Sequence, residues 1–393
     1  MPILRLFLAL MALGALGPLF FVFSAKRSEF LIVSLGLQAE VLPALALLGL
    51  GALGFCGGYG AQRLRPARPG AAGPEASFTL GLAFWALCVA AILALMGGSA
   101  GAILRNTELL LSKVRGVTAN QNLIFSILTV AVFQACLLAL SAIDRPGRRR
   151  VTGAVLVVLA TSVLAFSVGN RLQSIFVLLV PALAMGGRGR LRLSMLAPPA
   201  IVGLVLVYAG DMIRRAAQGG DPRNGEGLFA TFAAAFSQLD PMAVAVQLAE
   251  RVPTSALESL KALILWPVPH TMILHKALVA PLVARYLYFG DTLGGITLGM
   301  FGEYYYYFGL IGLVLLAFAS GWVSSWLARR AAGGASISHH VALVAVSMLM
   351  LSSLRDGVFN DMLNYVTLAG FFAFHRLTAM AVEAAGHRAP APG

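Results

Sequence analysis

Long apolar runs separated by short polar links repeat along nearly the whole chain. Runs near the length that crosses a bilayer as an α-helix, about 20 residues, occupy 3–23, 38–59, 78–98, 122–143, 151–169, 172–187, 195–212, 308–327, 341–354 and 362–377. Lys26 and Arg27 follow the first run in place of a small-residue cleavage site, so we interpret it as a span and not a signal peptide. The pattern predicts an all-α, polytopic helical membrane protein with about ten transmembrane helices.

Composition supports the membrane class. The chain is 59% hydrophobic and 11% charged, with a mean hydropathy of +0.84, which is beyond the range of soluble domains. The net charge of +13 comes largely from arginines in short links, as the positive-inside rule predicts, so it does not indicate nucleic-acid binding. The rule places both termini in the cytoplasm, together with the links at 63–68, 145–150, 188–192 and 329–330.

One link is much longer than the others and is predicted to lie outside. It divides the chain into N-terminal transmembrane helices (1–210), a large periplasmic loop (211–295), and C-terminal transmembrane helices with a cytoplasmic tail (296–393). Within the loop, Asp240 and Pro241 form an N-cap and first-turn pair for a helix ending near Arg251. The loop is therefore predicted to fold as a helical cap over the membrane domain.

Polar residues concentrate at 266–312, WPVPHTMILHKALVAPLVARYLYFGDTLGGITLGMFGEYYYYFGLIG. Polar groups next to an apolar run that could cross a membrane raise the free energy of the folded protein unless they face water or a substrate. We interpret this stretch as the rim of an active site.

Three features together resemble a known family. They are GNRLQSIFVLL at the opening of a span, a large outer loop late in the chain, and PxP…K…G…GEYYYYFGLIGL leading into the next helix. The chain resembles the bacterial O-antigen and exopolysaccharide repeat-unit polymerases of the Wzy type, which are related to O-antigen ligases and GT-C glycosyltransferases.

The resemblance implies a GT-C-like enzyme of the bacterial inner membrane, without a cofactor. Such an enzyme transfers a growing oligosaccharide from polyprenyl (undecaprenyl) diphosphate to a lipid-linked repeat unit on the periplasmic side. The expected partners are that lipid-linked oligosaccharide, membrane lipids and a chain-length regulator protein, with no nucleic acid.

This chemistry needs a group that accepts the proton of the attacking sugar hydroxyl. The candidate catalytic residues are Glu303, His270 and Asp356. Glu303 is either a general base or half of an ion pair with an outer arginine. Asp356 is either a base or a partner of Arg355.

A pyrophosphate leaving group needs fixed cations near the membrane surface, and the guanidinium fork suits phosphate oxygens. The candidates for binding substrate or pyrophosphate are Arg171, Arg214, Arg215, His275, Lys276, Arg285, Arg355 and Tyr304. Each basic residue has the alternative of anchoring its helix at the interface. Tyr304 to Tyr307 are predicted as an interfacial aromatic belt, which is compatible with stacking on sugars.

The absence of several motifs narrows the function. The sequence has no Asp-x-Asp pair, no G-x-x-x-x-G-K-[ST] loop and no HExxH, which argues against a nucleotide-sugar site with chelated metal, an ATPase and a zinc protease. We therefore predict a metal-independent glycosyltransferase. Two alternatives stay open: an O-antigen ligase, and a flippase or other transporter of lipid-linked oligosaccharide.

Overall fold

The computed structural model describes residues 2–22, 31–64, 77–96, 119–167, 171–187, 201, 205, 208, 237–254, 257, 260–261, 280–290, 296–334, 336–359 and 362–386. The N-terminal helices are α1 (Pro2–Val22), α2 (Leu31–Ser34), α3 (Val41–Arg63), α4 (Phe78–Leu95), α5 (Ala119–Asp144), α6 (Arg148–Ser167) and α7 (Arg171–Gly187). The later ones are α8 (Leu239–Arg251), α9 (Ala280–Phe289), α10 (Gly299–Ala331), α11 (Ile337–Met348), α12 (Leu354–Asp356) and α13 (Met362–Gly386). A 3₁₀ turn, Gln38–Glu40, precedes α3, and a π-helical turn, Leu349–Ser353, joins α11 to α12.

The structure confirms the predicted class, which is an all-helical membrane protein. Within the described ranges there is no β-strand, and six helices are long and apolar enough to cross a membrane. They are Gln38–Arg63, Phe78–Leu95, Leu123–Asp144, Arg148–Phe166, Gly299–Ala331 and Ile337–Asp356. Shorter apolar helices cover Ile3–Leu19 and Leu172–Gly186. The predicted span at 195–212 falls mostly outside the described residues, so the count of ten remains a prediction.

Among the described helices, α3 and α10 pack against each other most extensively. A Cβ built on Gly58 would lie 1.9 Å from the carbonyl oxygen of Phe318, and one built on Gly321 would lie 1.9 Å from that of Phe55. Only glycine allows backbones to approach this closely, which is a common basis of helix association in membranes. This pair therefore forms the centre around which α1, α8 and α11 pack.

Basic residues gather at one end of the bundle. A crevice of about 500 Å³ there is lined by Arg145, Arg149, Arg150 and His340, and a second cavity is lined by Arg63, Arg329 and the same His340. We call this the arginine end. The links at 63–68, 145–150 and 329–330 were predicted to lie on the same side of the membrane, and their arginines do line neighbouring cavities. The positive-inside rule assigns this side to the cytoplasm.

Helix α8 belongs to the predicted outer loop, and its existence is confirmed. It is packed into the bundle, because residues 239–246 are all buried and α8 contacts α1, α2, α3 and α10. The prediction that Asp240 caps the helix is wrong: the N-cap is Gln238. The Asp240 carboxylate instead accepts a hydrogen bond from the backbone N–H of Ile32 at 3.1 Å, which ties α8 to the start of α2.

Polar side chains inside the bundle pair between helices. Trp85 Nε1 of α4 donates to Thr161 Oγ1 of α6 at 2.9 Å, and Gln173 Nε2 of α7 donates to Thr129 Oγ1 of α5 at 2.8 Å. Such bonds satisfy groups that lipid cannot hydrate. They fix the relative positions of α4 to α7.

Candidate functional site

The polar stretch singled out by the sequence ends in a short helix of its own. Residues 299–308 are helical, but Gly309 has φ 67° and ψ −164°, which interrupts the helix before the apolar part of α10. This backbone region is essentially restricted to glycine. The predicted span at 308–327 therefore begins at a break, and the segment carrying Glu303 and the tyrosines precedes it.

Glu303 lies at the end of the molecule opposite the arginine end, and its side chain is enclosed. The residue is 1% exposed, and its carboxylate accepts a hydrogen bond from the backbone N–H of Phe359 at 2.8 Å. A Cβ built on Gly357 would lie only 2.2 Å from Glu303 Oε1. The turn formed by residues 357–359, which we call the 357–359 turn, therefore closes directly over the carboxylate.

The conformation of Gly357 makes this closure feasible. With φ 95° and ψ 152°, Gly357 occupies a backbone region that other residues avoid. A side chain there would also occupy the space of the Glu303 carboxylate. For Glu303 to take a proton from a substrate, the 357–359 turn has to move away, so its role as a base stays a prediction.

The turn follows a distorted stretch of helix that carries two other predicted residues. The π-helical turn Leu349–Ser353 precedes α12, which contains Arg355 and Asp356. Their Nε and Oδ1 atoms are 3.8 Å apart, with side chains 41% and 22% exposed, so the expected contact between them is confirmed. π-Helical turns occur frequently at functional sites, and this one places an accessible cation and carboxylate beside the turn that covers Glu303.

The interpretation of the four tyrosines as an interfacial belt is wrong for three of them. Tyr304, Tyr306 and Tyr307 are buried in the protein. Tyr304 Oη lies 2.6 Å from Ser320 Oγ, and Tyr306 Oη donates to the carbonyl of Val252 at 3.3 Å. These hydroxyls find partners inside the protein, so stacking of Tyr304 on a sugar would require its ring to leave this position.

Some of the remaining candidate residues lie in described helices, and the others lie outside the described residues. Arg171 begins α7, whose other end lines the arginine-end cavity, so its backbone lies at the opposite end of the bundle. Arg285 lies in α9, and α9 meets α8 through a hydrogen bond from Tyr288 Oη to Gln247 Oε1. The other candidates lie outside the described residues: His270, His275, Lys276, Arg214 and Arg215.

The contact between α8 and α9 carries a further cation. Arg251 Cζ lies 5.8 Å from the centre of the Tyr288 ring. Burial raises the pKa of the Tyr288 phenol above its ordinary value, while the Arg251 charge lowers it. The phenol therefore remains protonated and donates to Gln247.

Sequence reasoning missed the groups that hold the site together. The amide of Phe359 and the bare Cα of Gly357 are backbone features, and Ser320 lies within an apolar run. The glycine directly after Arg355 and Asp356 was the available signal, since it marks a helix end with a special conformation. Among the described residues, no group of three or more His, Cys, Asp or Glu could hold a metal ion.

Comparison with known proteins does not assign the chain to a family. No protein-family model matches it, and neither curated proteins nor solved structures give a significant match.

Proposed function

We propose that this protein is a glycan polymerase of the bacterial inner membrane, with a GT-C-like arrangement of about ten spans. It transfers a growing oligosaccharide from polyprenyl diphosphate to a lipid-linked repeat unit at the periplasmic surface. The proposal rests on the resemblance of the 266–312 stretch to Wzy-type polymerases. The observation that supports it best is the junction at the end opposite the arginine end, where a buried carboxylate, Glu303, meets the segment bearing Arg355 and Asp356.

The reaction forms one bond and breaks another. A hydroxyl oxygen of the acceptor sugar attacks the anomeric carbon of the donor glycan, and the bond from that carbon to the pyrophosphate oxygen breaks. The lipid pyrophosphate leaves with the electron pair, and the hydroxyl proton passes to a protein base. Fixed guanidinium groups stabilise the negative charge on the departing pyrophosphate.

Of the three candidate catalytic residues, the two that the structure describes are carboxylates of different accessibility, which suggests separate roles. Asp356 is partly exposed next to Arg355, whereas Glu303 is covered by the 357–359 turn. We assign the base to Asp356 and give Glu303 the role of positioning the turn. His270 is the other candidate base. Arg355 is a candidate for the pyrophosphate, as are Arg171, Arg214, Arg215, His275, Lys276 and Arg285.

The test is polymerisation by the purified protein, reconstituted with lipid-linked repeat units. Asp356→Asn should lower the rate about 10²–10⁴-fold, the usual effect of losing a general base. Glu303→Gln should stay within about tenfold of the unaltered protein, because an amide oxygen still accepts from Phe359. Glu250→Gln, which changes an exposed carboxylate on α8, is the matched control and should have no effect.

Each alternative function gives a different result in the same preparation. Transfer of glycan only to a lipid A core acceptor identifies a ligase. Movement of the lipid-linked oligosaccharide across the bilayer without a new glycosidic bond identifies a transporter. Either result contradicts the polymerase proposal. Equal loss of rate in Asp356→Asn and Glu250→Gln removes Asp356 as the base.

A further inference from the structure

The second cavity at the arginine end lies away from the proposed catalytic junction. Its volume is about 240 Å³, and residues from six helices line it: α1, α3, α5, α7, α10 and α11. Most of the wall is apolar, with leucines and alanines from α5, α7 and α10. The polar part comprises Arg63, Arg329, Tyr59, Ser325 and two histidines.

Among the described residues that line this cavity, both fully charged side chains are arginines, and the nearby carboxylate of Asp144 lies outside the lining, paired with His340. Arg63 and Arg329 contribute two guanidinium groups, and no aspartate or glutamate is among the described residues that line it. Cations in a partly apolar crevice favour an anion, because nearby low-dielectric walls strengthen the field. The fork of arginine matches phosphate oxygens in particular.

Ser325 provides an independent indication of a ligand. It is 1% exposed and lines the cavity, yet its Oγ has no hydrogen-bond partner among the described residues. Its neighbour Ser324 shows the usual arrangement, donating to the carbonyl of Ser320 at 2.7 Å. A buried hydroxyl without a partner costs stability, and a ligand atom in the cavity would remove that cost.

Size and surroundings narrow the class of ligand. A cavity of about 240 Å³ is smaller than the pockets of about 300–1,000 Å³ that hold drug-sized ligands, so it is too small for an oligosaccharide repeat unit. Basic pockets between transmembrane helices on the cytoplasmic side are suited to anionic lipid head groups. We propose that this cavity binds the phosphate of an anionic lipid head group, with Arg63 and Arg329 facing the phosphate and Ser325 bonding an oxygen of the head group.

The binding test uses the full-length protein in a nonionic detergent, freed of anionic lipid. Short-chain phosphatidylglycerol, phosphatidylcholine and inorganic phosphate are titrated separately, and the unfolding midpoint is followed by tryptophan fluorescence. A ligand that binds only the folded state raises the midpoint in a saturable manner. We expect this rise with phosphatidylglycerol and not with phosphatidylcholine. An equal rise with inorganic phosphate alone would identify free phosphate as the ligand of the same site.

Neighbouring residues supply matched controls for charge. Arg329→Ala should raise the half-saturating concentration roughly tenfold or more, the loss expected for a hydrogen bond to a charged group. Arg330→Ala removes the same charge one residue later, from a guanidinium that lies 4.8 Å from the Trp326 ring and is absent from the cavity lining. It should stay within about twofold of the unaltered protein. If Arg63→Ala does not fold, Arg63→Lys should fold and still weaken binding, because lysine keeps the charge but lacks the fork.

Ser325→Ala distinguishes a binding role from a structural one. The unliganded midpoint should stay the same or rise, because the lost hydroxyl has no protein partner, while the half-saturating concentration should rise severalfold. Ser324→Ala should leave the half-saturating concentration unchanged. Equal weakening by Arg329→Ala and Arg330→Ala, or equal stabilisation by the two lipids, would overturn the proposal. The outcome is independent of whether the protein polymerises glycan.

Discussion

The contact between Gly357 and Glu303 leads to a quantitative prediction. Gly357→Ala places a methyl group where the built Cβ lies 2.1 Å from Glu303 Cδ, in a backbone conformation that alanine avoids. The strained conformation costs about 1–3 kcal/mol. Displacing the carboxylate from the Phe359 N–H loses a charged hydrogen bond, about 1.5–3 kcal/mol. The free energy of unfolding should therefore fall by about 2.5–6 kcal/mol.

A double-mutant cycle separates the two costs. In a Glu303→Ala background no carboxylate is present, so Gly357→Ala should cost only the backbone strain, about 1–3 kcal/mol. The coupling between positions 303 and 357 should then be about 1.5–3 kcal/mol, well above the error of additive sites. SDS titration in mixed micelles, followed by tryptophan fluorescence, measures each unfolding free energy.

The control is Gly370→Ala, at a helical position in α13 where a Cβ would meet nothing within 4 Å. It should be neutral or stabilising by up to about 1 kcal/mol. If Gly357→Ala costs the same with and without the Glu303 carboxylate, the two residues are not in contact and the reasoning about the 357–359 turn is refuted.

Four further predictions follow from the packing, the charges and the sequence motifs. Gly58→Ala should prevent folding to a stable protein, because its Cβ would lie 1.9 Å from the Phe318 carbonyl oxygen, whereas Gly60→Ala, with open space around it, should express normally. A cysteine at position 220 should react with an impermeant reagent in intact cells, and one at Gly147 only after permeabilisation; the reverse would invert the predicted orientation. Polymerisation in vitro should be insensitive to EDTA, since fixed cations take the place of a metal; loss of activity that magnesium restores would contradict this. Substitution of alanine for arginine should lower the polymerisation rate roughly a hundredfold, with expression unchanged, at two or more of the positions Arg171, Arg214 and Arg285. Substitution of lysine at the same positions should restore the rate only in part.

Local sequence patterns predicted the features that depend on local chemistry. Runs of apolar residues predicted the six described helices that are long and apolar enough to cross a membrane, since length and hydropathy suffice for a helix in lipid. The Asp240–Pro241 pair correctly located α8, although the N-cap is Gln238 and the Asp240 carboxylate accepts a hydrogen bond from the distant Ile32 amide. A pattern of residue types can start a helix, but it does not show which distant amide lies within reach of a side chain.

The sequence draws attention to the residue types of the candidate site, whereas it does not show how these residues are arranged. Glu303 stood out as a carboxylate in an apolar stretch, but the sequence did not show that it accepts a hydrogen bond from the amide of Phe359, 56 residues later in the chain. The tyrosines matched the composition of a membrane interface, and only the packing of Val252 and Ser320 against them showed that they are buried. The break at Gly309 was hidden because GEYYYYFGLIG is also compatible with one continuous helix.

The glycine contact between α3 and α10 also constrains how the protein is made. Its two halves lie about 260 residues apart, and at about 5–20 residues per second a ribosome takes on the order of tens of seconds to synthesise that length. During this interval α3 is already in the membrane while its partner does not exist, so its glycine-lined face is open to lipid or to other helices. A chain interrupted before α10 is therefore expected to retain an uncovered association surface on α3.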